Sequence, residues 1–517
     1  MQSKPRYNDS VFVLDEKCDI ETRIMIVPLG CMKIFAGVIC LLFLVSSCSS
    51  DPEEDQPANP NPPPVLPPFN IDEITDTYPT ITAFENHPKW GPYNTHDPSI
   101  IKDGEYFYCY STDAAYGITV RPGIQIRRSK DLVEWQFAGF VFDALPKLGA
   151  DFIKANGGTP FDALWAPYVL KADNEFRLYY SLSSATPRLS AIGLATASNP
   201  SGPWTEIALV VTSRDDNTVQ TNAIDPTVLV TSGGEHWLYY GSAWDGIYVL
   251  QLNPTTGAVG TIGDKGIRIA QRGFTGNTIN GNIEGPEIIY NSELNKYFLF
   301  IAYDWLETKY NVRVGRSDFP EGPFLDFNGK DLNVAEDNIP MILAPYKFLN
   351  HGGWQGTSHP TVFQDGGQYY MGHQGRPGVD KYYMALHIRK MFWTDDGWPV
   401  VSPQRYAGTN QTPISVKELE GVWERIQFNY SVVPGFAGQQ ILPDFQEALE
   451  LTLYADGTFN GDLNNQWTYT PPWLELNWNN VTKDKVLVEW GRDWENKNAC
   501  LLFTGLNDEG TAIWGKK

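Results

Sequence analysis

The 517-residue chain carries 39 Lys and Arg against 61 Asp and Glu, a formal charge of −22, which excludes a general binder of phosphate backbones, since that needs a basic face. Hydrophobic residues make up 42% and aromatics 13%, with 46 Gly and 37 Pro; this argues against a helical bundle or wholesale disorder and for many short strands joined by turns. The length suggests two to four domains.

In chain order, residues 1–31 carry charges and no membrane pattern, and synthesis is expected to begin at Met32. Met32–Cys48 reads MKIFAGVICLLFLVSSC: one Lys, an apolar run too short to span a bilayer comfortably, then small residues before a cysteine. This resembles a bacterial lipoprotein signal, with Cys48 as the lipidated first residue of the mature protein; a plain transmembrane anchor is the alternative. A diacyl lipid there would tether the chain to a membrane without spanning it. Residues 49–70 hold eight Pro and several acids and read as an extended tether. The acids after Cys48 resemble a surface-export signal, so the expected place is the outer membrane of a Gram-negative bacterium, facing outward. Beyond Cys48 only Cys109 and Cys500 remain, too few for a disulfide framework or a cysteine metal site.

Five segments then share one pattern: a polar or small residue, Pro, an alternating strand, a turn and an aromatic-rich strand. They begin at His96, Trp165, Ile224, Glu284 and Ser358, and their shared prolines are Pro98, Pro167, Pro226, Pro286 and Pro360. Alternation around Gly- and Asp-containing turns reads as β-hairpins. Further strands follow, as in IGLATASNPSGPW from Ile192 and GIYVLQLNPTTG from Gly246. About four strands per unit, five times over, predict an all-β fold with a five-bladed β-propeller; a pair of β-sandwiches would not repeat one motif five times. Proline biases the residue before it to extended geometry, so the residues ahead of each Pro are expected to crowd one end of the central axis.

Those residues are His96-Asp97, Trp165-Ala166, Ile224-Asp225, Glu284-Gly285 and Ser358-His359. Three carboxylates converging on a narrow channel are costly unless they serve chemistry; the plainer alternative is that Asp97 and Asp225 cap turns. Clustered acids with aromatic neighbours suit glycoside hydrolysis, in which one ionised acid takes a proton from water and one neutral acid protonates the leaving oxygen. A third acid can raise the pKa of the neutral one.

The anchors HDPSII at His96–Ile101, LWAP at Leu164–Pro167, AIDP at Ala223–Pro226 and EGPEIIY at Glu284–Tyr290 resemble the family 43 glycoside hydrolases, especially the arabinan-degrading members, from about His96 to Ala407. The resemblance implies inverting hydrolysis of α-1,5-L-arabinan, with Asp97 as general base, Glu284 as general acid and Asp225 tuning Glu284. It also implies that His359 helps hold a hydrated calcium ion on the axis. By its chemistry alone, His359 reads as a channel-lining His bonded to a catalytic carboxylate, since calcium prefers oxygen. Trp165 offers a flat face to a sugar ring, with Trp90 and Trp354 as further candidates, although burial is the plainer reading for any Trp. Arg316 could bond a substrate hydroxyl or a catalytic carboxylate, or be an ordinary strand-surface Arg. Where many relatives read WAPD this chain has Tyr168, and the insert Asp143–Phe161 is expected to reshape the cleft rim.

The expected catalytic domain spans residues 71–412, and residues 413–517 alternate around polar turns as a small closed β-barrel, taken to brace the propeller or bind glycan. The expected partner is arabinan or its oligosaccharides, taken up by a monomer. An exo-acting arabinofuranosidase or β-xylosidase of the same family is the nearer alternative, and a non-catalytic surface glycan-binding lipoprotein the more distant one.

Overall fold

The computed structural model describes residues 68–517, apart from 118–119, 217–219, 262, 273, 276–277, 280–281, 335–337, 430–437 and 439. The expected signal segment, Cys48 and the expected tether up to residue 67 lie outside the described residues. Asn70–Lys517 forms one unit. Among the described residues, no helix is long and apolar enough to cross a membrane.

The first repeat folds as β1 (Ser99–Asp103), β2 (Tyr106–Ser111), β3 (Gln125–Ser129) and β4 (Gln136–Phe140), hydrogen-bonded in that order. The second is β5 (Trp165–Ala172), β6 (Glu175–Leu182), β7 (Ser190–Ala197) and β8 (Thr205–Ser213). The third is β9 (Thr227–Val230), β10 (His236–Tyr240), β11 (Ile247–Leu252) and β12 (Ile267–Ala270). After a short hairpin of β13 (Phe274–Thr275) and β14 (Thr278–Ile279) comes the fourth: β15 (Ile283–Asn291), β16 (Lys296–Tyr303), β17 (Asn311–Ser317) and β18 (Met341–Leu343). The first hairpin of each repeat turns through a left-handed residue, for example Asp173 at φ 51° and Asn295 at φ 52°, conformations that Asp and Asn tolerate best after Gly.

Four repeats therefore stand as separate four-stranded blades, where five were expected. The fifth repeat, β21 (Thr361–Asp365), β22 (Gln368–Pro377), β23 (Ala385–Trp393) and β24 (Pro399–Val401), is antiparallel like the others but belongs to a seven-stranded sheet. The cause is the length of β22: its last residues, Arg376 and Pro377, pair with β20 (Trp354–Gln355), which continues through β19 (Tyr346–Lys347) to a strand of the C-terminal region. The first strands touch in the order β1, β5, β9, β15, β21 and back to β1, so the repeats close a ring. Apolar cores fill the seams between neighbours; Ile100, Phe107 and Cys109 of the first repeat pack with Tyr370, Leu386 and Ile388 of the last. The insert ahead of Trp165 forms α1 (Lys147–Ala155), packed on β7 and β8.

Between Val401 and Gly421 there is no strand, only the short helix α2 (Val416–Leu419); the expected joint near residue 412 falls here. The rest is a closed barrel of β25 (Gly421–Gln427), β27 (Leu449–Leu453), β28 (Thr458–Phe459), β29 (Asp462–Thr470), β30 (Trp473–Trp478), β31 (Thr482–Asp493), β32 (Asn498–Asn507) and β33 (Ala512–Lys516). The intervening β26 (Gln446–Glu447) leaves the barrel to pair in parallel with β19. Ile426, Phe428, Leu506 and Trp514 from the barrel share one apolar core with Tyr346, Phe348, Trp354 and Val401, so burial of apolar surface ties the two parts together. Cys109 and Cys500 are free and buried.

Candidate active site

The residue before each shared Pro is left-handed: Asp97 φ 50°, Ala166 φ 35°, Asp225 φ 59°, Gly285 φ 54° and His359 φ 55°. The extended geometry expected ahead of Pro is thus wrong at all five positions. Proline disfavours the right-handed helical region for its predecessor, and the chain here takes the other escape. Left-handed backbone costs an L-residue roughly 1–2 kcal/mol, and such strain persists only where the surroundings impose it.

Here they do. The backbone amide or side chain of these residues is tied to the neighbouring repeat all the way round the ring. Thr112 Oγ1 accepts from Ala166 N at 2.7 Å, and Ser181 Oγ accepts from Asp225 N at 3.0 Å. Ser242 Oγ donates to Glu284 Oε2 at 2.8 Å. Ser358 Oγ donates to Asn311 O at 3.0 Å, and Tyr310 OH lies 3.5 Å from His359 Nδ1. Gln374 Oε1 accepts from Asp97 N at 2.8 Å, which closes the circle.

This circle brings the three acids together around His359. Asp97 is buried, with Oδ1 3.0 Å from His359 Nδ1 and Oδ2 2.8 Å from His96 Nδ1, while Thr112 Oγ1 donates to Oδ2 at 2.6 Å. Asp225 Oδ2 accepts from Gly285 N at 3.1 Å, so its carboxyl grips the residue after Glu284. Glu284 is half-buried, and besides Ser242 the nearby Tyr310 hydroxyl works to lower its pKa. Gly285 is required by packing as well as by φ: a Cβ there would lie 2.9 Å from His359 Nδ1.

The electrostatics separate the acids. Burial works to raise Asp97, but His359 and His96 outweigh it and hold the carboxyl well below the ordinary range. Burial raises Asp225 well above that range, and the charges of Glu284 and Asp97 add to the rise against the pull of His359. Burial also raises Glu284, against the hydrogen bonds from Ser242 and Tyr310. Burial alone would lower His359; Asp97, with Asp225 and Glu284, carries it up to about 9 instead. His96 is lowered by burial, which Asp97 only partly offsets. At neutral pH the pattern is one ionised carboxylate, two carboxyls pushed toward the neutral form and one imidazolium between them.

Other expected residues fall elsewhere. Trp165 is half-exposed and stacks on Phe161, ring centres 5.2 Å apart, so a face-bearing aromatic does stand beside Ala166. Trp90 is buried, donating from Nε1 to Ile81 O at 2.8 Å, and Trp354 is buried in the apolar core beneath the barrel; neither has a face free for a sugar. Arg316 lies five residues along β17 from Asn311, about 17 Å at strand rise, where Nη1 donates to Asp396 O at 2.7 Å and the guanidinium covers Trp398. Tyr168 spends its hydroxyl on Val228 O at 3.0 Å, joining the second and third repeats.

The sequence reading missed Ser242, Tyr310 and Glu287. Ser242 lies in the segment GSAWDG and Tyr310 just ahead of β17, where nothing in spacing marks them. Glu287 had a signal, as the second acid of EGPE. It is buried, accepts from Thr227 Oγ1 at 2.9 Å and from Val362 N at 2.7 Å, and is pushed up to about 7 by burial. It pins three first strands together.

For a metal the donor set is thin. Calcium takes six to eight oxygens, whereas His359 offers nitrogen and turns Nδ1 to Asp97. Among the described residues, no group of three or more His, Cys, Asp or Glu is placed to hold a metal. The residues present build no calcium cage.

Known proteins are similar to this chain in sequence and fold. The chain is 26% identical to an extracellular endo-α-(1→5)-L-arabinanase of Thermotoga petrophila, over 81% of this chain and 93% of that protein. It is 27% identical to extracellular endo-α-(1→5)-L-arabinanase 2 of Bacillus subtilis, over 84% and 95%. The crystal structure of an endo-1,5-α-L-arabinanase from Thermotoga petrophila superposes with a TM-score of 0.70 at 25% identity, covering 82% of this chain and 98% of that one. Residues 403–515 match a family described as a C-terminal lipocalin-like domain. Residues 91–399, which hold every acid of the ring, match the glycosyl hydrolases family 43, and the chain belongs to that family.

Proposed function

We propose that the chain is an inverting, endo-acting hydrolase of α-1,5-linked L-arabinan. The observation that carries this reading is the opposed protonation of acids gathered at one end of the ring: Asp97 held ionised, Glu284 and Asp225 pushed neutral. Asp97 takes the proton from the attacking water. Glu284 gives its proton to the leaving oxygen as the glycosidic bond breaks. Asp225, through Gly285 N, positions Glu284, whose proton is kept on by burial and by the negative charge of Asp97. Trp165 supplies the stacking face. The fifth repeat completes the ring as its fifth blade. The names of the relatives support arabinan as the polymer and internal cleavage as the mode. A calcium ion behind its own waters would add positive charge beside His359; activity lost on chelation and restored by calcium supports it, and unchanged activity removes it. A lipid on Cys48 would hold the enzyme at the cell surface.

The test is incubation with linear arabinan, branched arabinan, xylan and galactan, reading products by size. A ladder of arabino-oligosaccharides that shortens with time supports the proposal. Release of arabinose alone, or turnover of xylan alone, overturns it.

A further inference from the structure

The short segment that carries Trp165 is pinned on both sides by two consecutive residues just beyond β2. Asp113 N donates to Leu164 O at 3.0 Å, and Asp113 Oδ2 accepts from Leu164 N at 2.8 Å. Asp113 is itself held, accepting from Gly123 N and Ile124 N at 2.8 Å each. On the other side of the indole, Thr112 Oγ1 accepts from Ala166 N at 2.7 Å. Both residues are buried, and Thr112 N donates to His96 O at 2.9 Å. Ser181 makes the equivalent bond to Asp225 N one repeat further on.

The bond to Ala166 decides where the Thr112 proton goes. A backbone N–H can only donate, so the hydroxyl accepts there and its single proton is left to donate elsewhere. It goes to Asp97 Oδ2 at 2.6 Å, the short distance of a hydroxyl bonded to a charged oxygen. His96 Nδ1 also stands 2.8 Å from Oδ2, whereas His359 Nδ1 lies 3.0 Å from Oδ1. Among the described residues, two polar groups therefore face Oδ2 and one faces Oδ1. A carboxylate oxygen accepts about two hydrogen bonds, so Oδ2 is filled and the acceptor site left over is on Oδ1.

We propose that Thr112 is a positioning residue for the hydrolysis, whose one hydroxyl does two things. It closes Asp97 Oδ2, so that the attacking water lies against Oδ1, and it seats the Trp165 segment at a fixed distance from that carboxylate. As the water oxygen bonds to the anomeric carbon its proton passes to Oδ1, and the Glu284 proton leaves with the departing oxygen. The β-branched side chain is stiff about χ1, so the hydroxyl is held in place before substrate arrives. The sugar stacked on Trp165 and the water on Asp97 are thus located by the same atom. This role rests on the assignment above of Asp97 as base and Trp165 as stacking face.

The experiment is steady-state hydrolysis of linear arabinan and of xylan by the full chain and its Thr112 variants, with circular dichroism and the unfolding midpoint measured alongside. Thr112→Val keeps the shape and loses the hydroxyl. It is expected to lower kcat about tenfold or more, as for the loss of one hydrogen bond to a charged group, and to raise KM several-fold. Thr112→Ser, which keeps the hydroxyl, is expected to recover most of both. In a Trp165→Ala background, Thr112→Val is expected to lower kcat as before and to raise KM no further, because the face it seats is gone. If Thr112→Val does not fold, Thr112→Ala, which removes the hydroxyl without setting a methyl against Asp97, is read in its place. Turnover of xylan in place of arabinan removes the arabinan reading, and the same split on xylan supports the role of Thr112. Wild-type kcat in Thr112→Val, or a Thr112→Ser enzyme as impaired as Thr112→Val, overturns that role. So does a KM increase from Thr112→Val that is the same with and without Trp165. A chain that turns over neither polymer overturns both.

Discussion

Asp97 and Glu284 differ in protonation because their neighbours differ: two imidazoles against the first, a serine and a tyrosine hydroxyl against the second. Hydrolysis by this pair needs Asp97 ionised and Glu284 protonated. The acid limb of kcat/KM therefore lies below the ordinary carboxylate pKa, and the alkaline limb above it. Ser242 donates to Glu284 and favours its charged form, so Ser242→Ala moves the alkaline limb to higher pH, whereas an unmoved limb would separate Glu284 from the acid role. Asp97→Asn and Glu284→Gln each lower kcat by about 10²–10⁴-fold, the usual contribution of a positioned acid or base, with circular dichroism unchanged. The tryptophans divide by burial. Trp354→Ala opens a core cavity and costs about 3–5 kcal/mol in denaturant unfolding, while Trp165→Ala raises KM and leaves the unfolding midpoint in place.

At the scale of strands, the shared prolines and alternating hairpins made the repeat legible, because period-two burial is written directly in the residues. The left-handed turn ahead of each Pro was not legible. It is imposed by partners such as Ser181 and Gln374, which come from a neighbouring repeat and not from nearby sequence. The acids could be placed at one end of the axis from their position in the repeat, yet their protonation could not, since it depends on His359, Ser242 and Tyr310 meeting across blades. The fifth repeat misled for a similar reason: nothing in Gln368–Pro377 shows that β22 will recruit β20. Gly285 tests the turn itself. Gly285→Ala brings a methyl to 2.9 Å from His359 Nδ1, and it is expected to lower kcat more than it lowers the unfolding temperature, measured side by side.

On the scale of the whole molecule, the barrel reaches back toward the catalytic end. Gln440, from the connection between β25 and β27, is fully buried; its Oε1 accepts from Trp305 N, its Nε2 donates to Asp304 Oδ1 at 3.2 Å, and its carbonyl accepts from Thr308 Oγ1. Residues 304–308, held by Gln440, lead directly into Tyr310, whose hydroxyl works to lower the Glu284 pKa. Gln440→Ala is expected to reduce kcat several-fold with KM little changed in steady-state assays. The barrel was legible as strands and turns, but not this arm, because a lone polar residue between elements carries no pattern. The join between the first and last repeats has its own consequence. Among the described residues no strand is exchanged there: besides apolar contacts, its ties include a one-residue bridge from Tyr93 to Ala385, Tyr78 OH donating to Met384 O, the Lys102–Asp365 ion pair at 2.6 Å, and Gln374 and His359 holding Asp97. A ring buttoned in this way comes undone by parting side-chain and seam contacts, with no strand ladder to break, and Asp97 sits on one of the buttons. Gentle warming should silence the enzyme while most of its sheet content is intact, and cooling should restore it.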